Sequence, residues 1–93
     1  MITSFSDKDA EAVYIDQPQR RIPADILNVL LRKLAQLNRA TSLLDLAAVP
    51  GNRLEKLLGN REGQYSIRIN DQWRLCFDWE TPNASNVEVV DYH

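Results

Sequence analysis

The sequence predicts an α+β fold in which two N-terminal helices pack on a mostly antiparallel sheet of four to five strands. Three observations lead there: apolar residues recur at a helical period up to about residue 39, the period changes to two beyond Gly51, and turn residues punctuate the second half at short intervals. A chain of 93 residues is sized for one domain, 1–93, with one core.

Ile2-Thr3-Ser4-Phe5 alternates like a short first strand, and Ser6 followed by Asp9 reads as an N-cap for a helix running to about Gln17, ended by Pro18. A second helix is expected from Pro23, suited to the first helical position, to about Arg39. Its Ile26, Val29, Leu30, Leu34 and Leu37 mark one buried stripe, which leaves Arg32, Lys33 and Arg39 at or beyond the margins. Ala40-Thr41-Ser42 breaks the chain and offers a cap for one further turn, Leu43 to Ala48, which Val49-Pro50-Gly51 stops.

Leu54 to Leu58 reads as a strand with disturbed alternation, consistent with a bulge. Gln64 to Asn70 alternates cleanly, with Tyr65, Ile67 and Ile69 on one face, and Asn70-Asp71-Gln72 turns into a strand from Trp73 to Trp79. There Trp73, Leu75, Phe77 and Trp79 share a face, so Arg74 and Cys76 share the other. A Pro82-Asn83 turn and a last strand, Val87 to Val90, lead into Asp91-Tyr92-His93.

No apolar run is long enough to span a bilayer, and the first eight residues lack the basic start and apolar stretch of a signal peptide, so a soluble, intracellular (cytoplasmic) protein is expected. The single cysteine, Cys76, excludes an internal disulfide and a cysteine-based zinc cage. The net charge of -2 argues against a polyphosphate binder when taken alone. By segment it differs: residues 1–19 carry Lys8 against Asp7, Asp9, Glu11 and Asp16, whereas 20–39 carry Arg20, Arg21, Arg32, Lys33 and Arg39 against Asp25 alone. Residues 53–74 add Arg53, Lys56, Arg61, Arg68 and Arg74 against Glu55, Glu62 and Asp71, so a basic face on a mildly acidic protein is compatible with the sequence.

Arg74 is the sharpest candidate for chemistry. A guanidinium mounted on the open side of an apolar strand suits stabilisation of charge on a phosphoryl oxygen; the alternative is a strand arginine paired with a neighbouring acid. His93, directly after a strand, is either a terminal residue without a role or a proton donor to a leaving oxygen, with Asp91 or Tyr92 orienting it. Glu55 is either a second base or a solvated glutamate. One histidine with scattered carboxylates forms no recognisable metal set, and the sequence has no HExxH, Gly-rich phosphate loop or Gly-x-Ser-x-Gly turn.

Gly51-Asn52-Arg53-Leu54-Glu55, the run from Gly59 to Phe77 and the ending Val90-Asp91-Tyr92-His93 together closely resemble the HigB-type toxins of the RelE superfamily. The resemblance spans nearly the whole chain. It implies a toxin of a type II toxin-antitoxin system: a ribosome-dependent endoribonuclease, without metal or other cofactor, that cleaves messenger RNA in the ribosomal A site by 2′-hydroxyl attack on the adjacent phosphate. It further implies a helix-turn-helix antitoxin of the HigA type as partner, operator DNA bound only through that antitoxin, and no membrane. Arg74 would stabilise the pentavalent phosphate, His93, Asp91 and Tyr92 would move protons or position substrate, and Glu55 falls where relatives carry histidine or an acid. Arg53, Lys56, Arg61 and Arg68 would contact RNA. Leu58 departs from the pattern, because many relatives carry a lysine there; Lys56 would substitute if the strand were ideal. That departure sustains a second function class, a weakly active or inactive toxin homologue that acts mainly as an antitoxin-binding co-regulator of its own operon. A gyrase inhibitor on the same superfamily fold is a third reading, disfavoured by the Asp-Tyr-His ending.

Overall fold

A computed structural model describes residues 1–92. Helices α1 (Lys8–Tyr14), α2 (Leu27–Arg39) and α3 (Leu43–Ala47) precede strands β1 (Glu55–Lys56), β2 (Gln64–Arg68), β3 (Trp73–Glu80) and β4 (Asn83–Asp91). The strands form one antiparallel sheet in the order β1-β2-β3-β4. The expected α+β class holds, with helices on one side of a sheet whose second face stays open.

The cap of α1 is Asp7 rather than Ser6, since its carboxylate accepts from the amides of both Asp9 (2.9 Å) and Ala10 (3.3 Å). A carboxylate reaching two orphan amides outcompetes a hydroxyl one residue earlier. Asp7 also accepts from the Val89 amide at 3.0 Å and pairs with Arg21, which donates to Asp9 (3.0 Å) and the Val89 carbonyl (3.1 Å). The acidic first segment is thus partly neutralised by the basic second one, and Arg21 leaves the expected basic face. The helix stops at Tyr14, short of Gln17, because Asp16 turns into the left-handed region (φ 58°). Pro23 does not begin α2: it stands before a single 3₁₀ turn, Ala24–Ile26, that feeds the helix.

The buried stripe of α2 is as expected, with Leu30, Leu34 and Leu37 fully enclosed. They share one core with Ile67, Leu75, Phe77, Val87 and Val89 from the sheet's inner face and with Ala10 and Val13 of α1. Truncating such a leucine to alanine costs about 2–5 kcal/mol.

The first segment is no strand of its own. Ile2 and Phe5 make isolated parallel bridges to Ala84 and Val87 of β4, at the sheet's free edge. Ser42 caps α3, its hydroxyl accepting from the Asp45 amide. β1 is two residues rather than five: Arg53 before it has φ 45°, and Leu58 after it swings out to solvent. The bulge expected in 54–58 lies instead between Cys76 and Asp78, where β3 meets β4. β2 ends at Arg68, before Asn70, because the Asn70 side chain accepts from the Gln72 and Trp73 amides (both 2.8 Å) and closes the turn. β4 is longer than the expected 87–90, since it pairs with β3 from Asn83 onward. Among the described residues no helix is long and apolar enough to cross a membrane.

Candidate active site on the open sheet face

Strand register builds the site. Arg68, Arg74 and Val90 form one cross-strand row, and Glu55, Ser66, Cys76 and Glu88 form the next. Directly opposed residues share a face, so Arg74 stands beside Ser66 and Glu55 on the side turned away from the helices.

Arg74 is held from three directions. Nε donates to the Ser66 hydroxyl at 2.8 Å, and Nη2 donates to the Arg53 carbonyl at 2.7 Å and the Ser66 carbonyl at 3.3 Å. Nη1 lies 3.9 Å from Glu55 Oε1, where the arginine side chain is 11% exposed and the glutamate 58%. Planar donors fixed in this way are preorganised, and their orientation costs nothing at the moment of reaction.

The loop that supplies the Arg53 carbonyl is anchored from inside. Asn52 is fully buried; its Nδ2 donates to the Leu46 carbonyl (2.9 Å) and Gln36 Oε1 (3.2 Å), and its Oδ1 accepts from the Lys33 ammonium. Lys33, expected at the helix margin, is 8% exposed. The apolar stripe alone does not place it inward; the buried amide acceptor does. Burial pushes its pKa down, assisted by the like charges of Arg32 and Arg68.

Toward β4, Cys76 is fully buried and its Sγ lies 4.0 Å from the Tyr92 hydroxyl. Burial raises the pKa of both groups, so neither is a ready nucleophile or base near neutrality. The Tyr92 amide donates to the Gln72 carbonyl, tying the strand end to the β2-β3 turn. Register sets Val90 opposite Arg74 and Asp91 opposite Trp73. His93 lies outside the described residues.

The four basic residues assigned to RNA divide in two. Arg61 pairs with Glu88 and donates to Gln64 Oε1 at 3.1 Å; the Glu88 hydrogen bond raises its pKa further. Arg68 pairs with Asp71 at 2.5 Å and holds that carboxyl below its usual range. Arg53 and Lys56 expose their side chains. Lys56 is opposite Tyr65, whose ring stacks on core residue Phe77, so it projects from the face away from Arg74. It does not stand in for the lysine that Leu58, 80% exposed, replaces. Among the described residues no three His, Cys, Asp or Glu side chains converge as a metal site.

Sequence reasoning missed Ser66, Asn52, Lys33 and Glu88. Ser66 was within reach: the Asn70-Asp71-Gln72 turn fixes a register in which Arg74 lies beside position 66.

Solved toxin structures share this architecture. The YoeB-YefM complex from Staphylococcus aureus contains a chain 24% identical, aligned over 100% of this chain and 95% of that one, at a TM-score of 0.61. YafQ from E. coli strain BL21(DE3) is 16% identical over 98% of this chain and 91% of that one, at 0.56. The fold is the RelE-like toxin fold. The pattern of the HigB-like family, RelE-like toxins of the type II toxin-antitoxin system HigB, matches residues 3–93, and the chain belongs to that family. Toxin HigB-1 of Vibrio cholerae serotype O1 is 48% identical, covering 100% of this chain and 98% of that protein. A protein of Proteus vulgaris named endoribonuclease HigB is 29% identical over the full length of both.

Proposed function

We propose that this toxin is a ribosome-dependent endoribonuclease that cleaves messenger RNA in the ribosomal A site. The observation that carries the reading is the Arg74 guanidinium, clamped by Ser66 and the Arg53 carbonyl on the open sheet face. The name of the Proteus vulgaris relative agrees with it.

The ribose 2′-hydroxyl oxygen bonds to the adjacent phosphorus, the bond from phosphorus to the 5′ oxygen breaks, and the products are a 2′,3′-cyclic phosphate and a 5′-hydroxyl. Arg74 stabilises charge on the non-bridging oxygens of the pentavalent phosphate. Glu55, the nearest carboxylate, takes the 2′ proton. His93 protonates the leaving oxygen, with Tyr92 positioning it or the substrate, and Asp91, opposite Trp73, acting from the end of β4. Such acid-base steps contribute roughly 10² to 10⁴ in rate. The chain works as one domain, 1–93, in the cytoplasm. Exposed Arg53 contributes contacts to RNA at the site, Lys56 only from the opposite face; Arg61 and Arg68 contribute once their acidic partners yield. A helix-turn-helix antitoxin is the partner, and operator DNA is met only through it.

Primer extension on a defined message, with and without programmed ribosomes, tests the reading. New 5′ ends only in the presence of ribosomes are expected. No cleavage in either tube, from folded protein that binds its antitoxin, leaves the co-regulator role instead.

A further inference from the structure

We propose that Asn52, oriented by Lys33, is a positioning residue for Arg74: it sets the Arg53 carbonyl that receives the Arg74 guanidinium. The inference rests on the reading of Arg74 as the phosphate-stabilising group.

The bonds of Asn52 join three parts of the fold. Its side chain reaches α2 through Lys33 and Gln36, and the end of α3 through the Leu46 carbonyl. Its backbone nitrogen donates to the Val49 carbonyl at 3.2 Å, and its carbonyl accepts from the Arg68 amide at 2.6 Å, at the end of β2. Both donors of Nδ2 are in use, and the third partner is an ammonium, which has protons to give and no lone pair. The opposite amide orientation would set donor against donor at Lys33 and oxygen against oxygen at the Leu46 carbonyl, so the two together fix which way the amide faces.

The next residue inherits that constraint. Arg53 has φ 45°, a conformation an L-residue keeps only when its surroundings impose it. With residue 52 pinned at side chain and backbone, the Arg53 carbonyl turns toward Arg74 Nη2, 2.7 Å away. Ser66 holds Nε at 2.8 Å but reaches Nη2 only through a longer bond of 3.3 Å; the Arg53 carbonyl, at 2.7 Å, is the stronger hold on Nη2. Lys33 and Asn52 are both buried. They act through Arg53 and touch no substrate.

A double-mutant cycle with a spectroscopic readout tests the proposal. Asn52→Ala is expected to lower kcat on programmed ribosomes by about 100-fold, the scale of a misplaced catalytic group, while KM stays close to its original value. In an Arg74→Ala background the same change produces no further loss. The Arg74 Nη2–H resonance, assigned by its disappearance in Arg74→Ala, exchanges slowly in the parent protein and loses that protection in Asn52→Ala. Equal losses in both backgrounds, or an unchanged Arg74 resonance in folded Asn52→Ala, overturn the proposal. If Asn52→Ala does not fold, Lys33→Met, which spares the Nδ2 anchors, undergoes the same two measurements with the same expected signs. Absence of cleavage by the parent protein refutes the ribonuclease reading, and the resonance still decides whether Asn52 positions Arg74.

Discussion

The Arg74 Nε donates to the hydroxyl of Ser66, its diagonal neighbour across the β2-β3 hairpin, at 2.8 Å, and that serine side chain is fully buried. The bond uses the one guanidinium nitrogen nearest the strand and, with Nη2 turned to the Arg53 and Ser66 carbonyls, fixes the plane in which Nη1 lies 3.9 Å from Glu55. Ser66→Ala is expected to reduce kcat about 10-fold with little change in KM, a fraction of the 10²–10³ lost on removing a direct stabilising donor. Arg74→Lys is expected to lose far more, since an ammonium cannot satisfy Ser66, Arg53 and a phosphate from one plane. Single-turnover cleavage on programmed ribosomes separates the two effects.

Arg61 and Glu88 bridge the 59–61 turn and β4 across the same face. Both side chains are about one-third exposed or less (33% and 27%), so the pair contributes at most about 1 kcal/mol to stability. Its larger effect is on RNA. Glu88→Gln removes a negative charge and releases Arg61, and is expected to lower KM for ribosomes several-fold at low salt. The gain shrinks as salt rises, as screening of exposed charge requires. A salt-independent change in KM would contradict the assignment.

Leu58 places a large apolar side chain, 80% exposed, immediately before Gly59. Leu58→Lys removes no buried contact and is expected to change stability by less than about 0.5 kcal/mol. It is also expected to raise the cleavage rate by restoring the phosphate-neutralising charge that many relatives carry at this position. Paired thermal melts and cleavage time courses check both parts.

Asp45 carries the clearest acid dependence. The Thr41 amide and hydroxyl both donate to it, at 2.9 and 3.1 Å, and the amide bond is the main cause of its lowered pKa. A carboxylate depressed in the folded state stabilises fully above its unfolded pKa, about 3.9, and loses that contribution as pH falls through the lower folded value. Asp45→Asn should therefore be less stable than the parent at pH 7, with the two converging in acid. Urea midpoints across that range measure it, and parallel curves would exclude the linkage.

Much of the fold was legible because it depends on short-range pattern. The stripe of α2 and the alternation of Tyr65, Ile67, Leu75 and Phe77 placed the core, and the same alternation placed Arg74 on the open face. The errors fall where long-range contacts decide. Lys33 reads as a solvated helix residue until an amide 19 positions away is folded against it. β1 reads as a five-residue strand until the left-handed Arg53 and the outward Leu58 cut it to two. Asp7 outranks Ser6 as a cap in part because β4 brings it the Val89 amide. The roles given to Asp91, Tyr92 and His93 came from side-chain chemistry at the chain end and from resemblance to the family rather than from periodicity.

The chemistry at the cleaved ends tests the central claim most directly. Message cleaved on ribosomes by the parent protein should carry 5′-hydroxyl ends that polynucleotide kinase labels without prior phosphatase, opposite 2′,3′-cyclic phosphates, and Arg74→Ala should abolish both. Fragments with 5′-phosphate ends, or cleavage that survives Arg74→Ala, would contradict 2′-hydroxyl attack stabilised by Arg74.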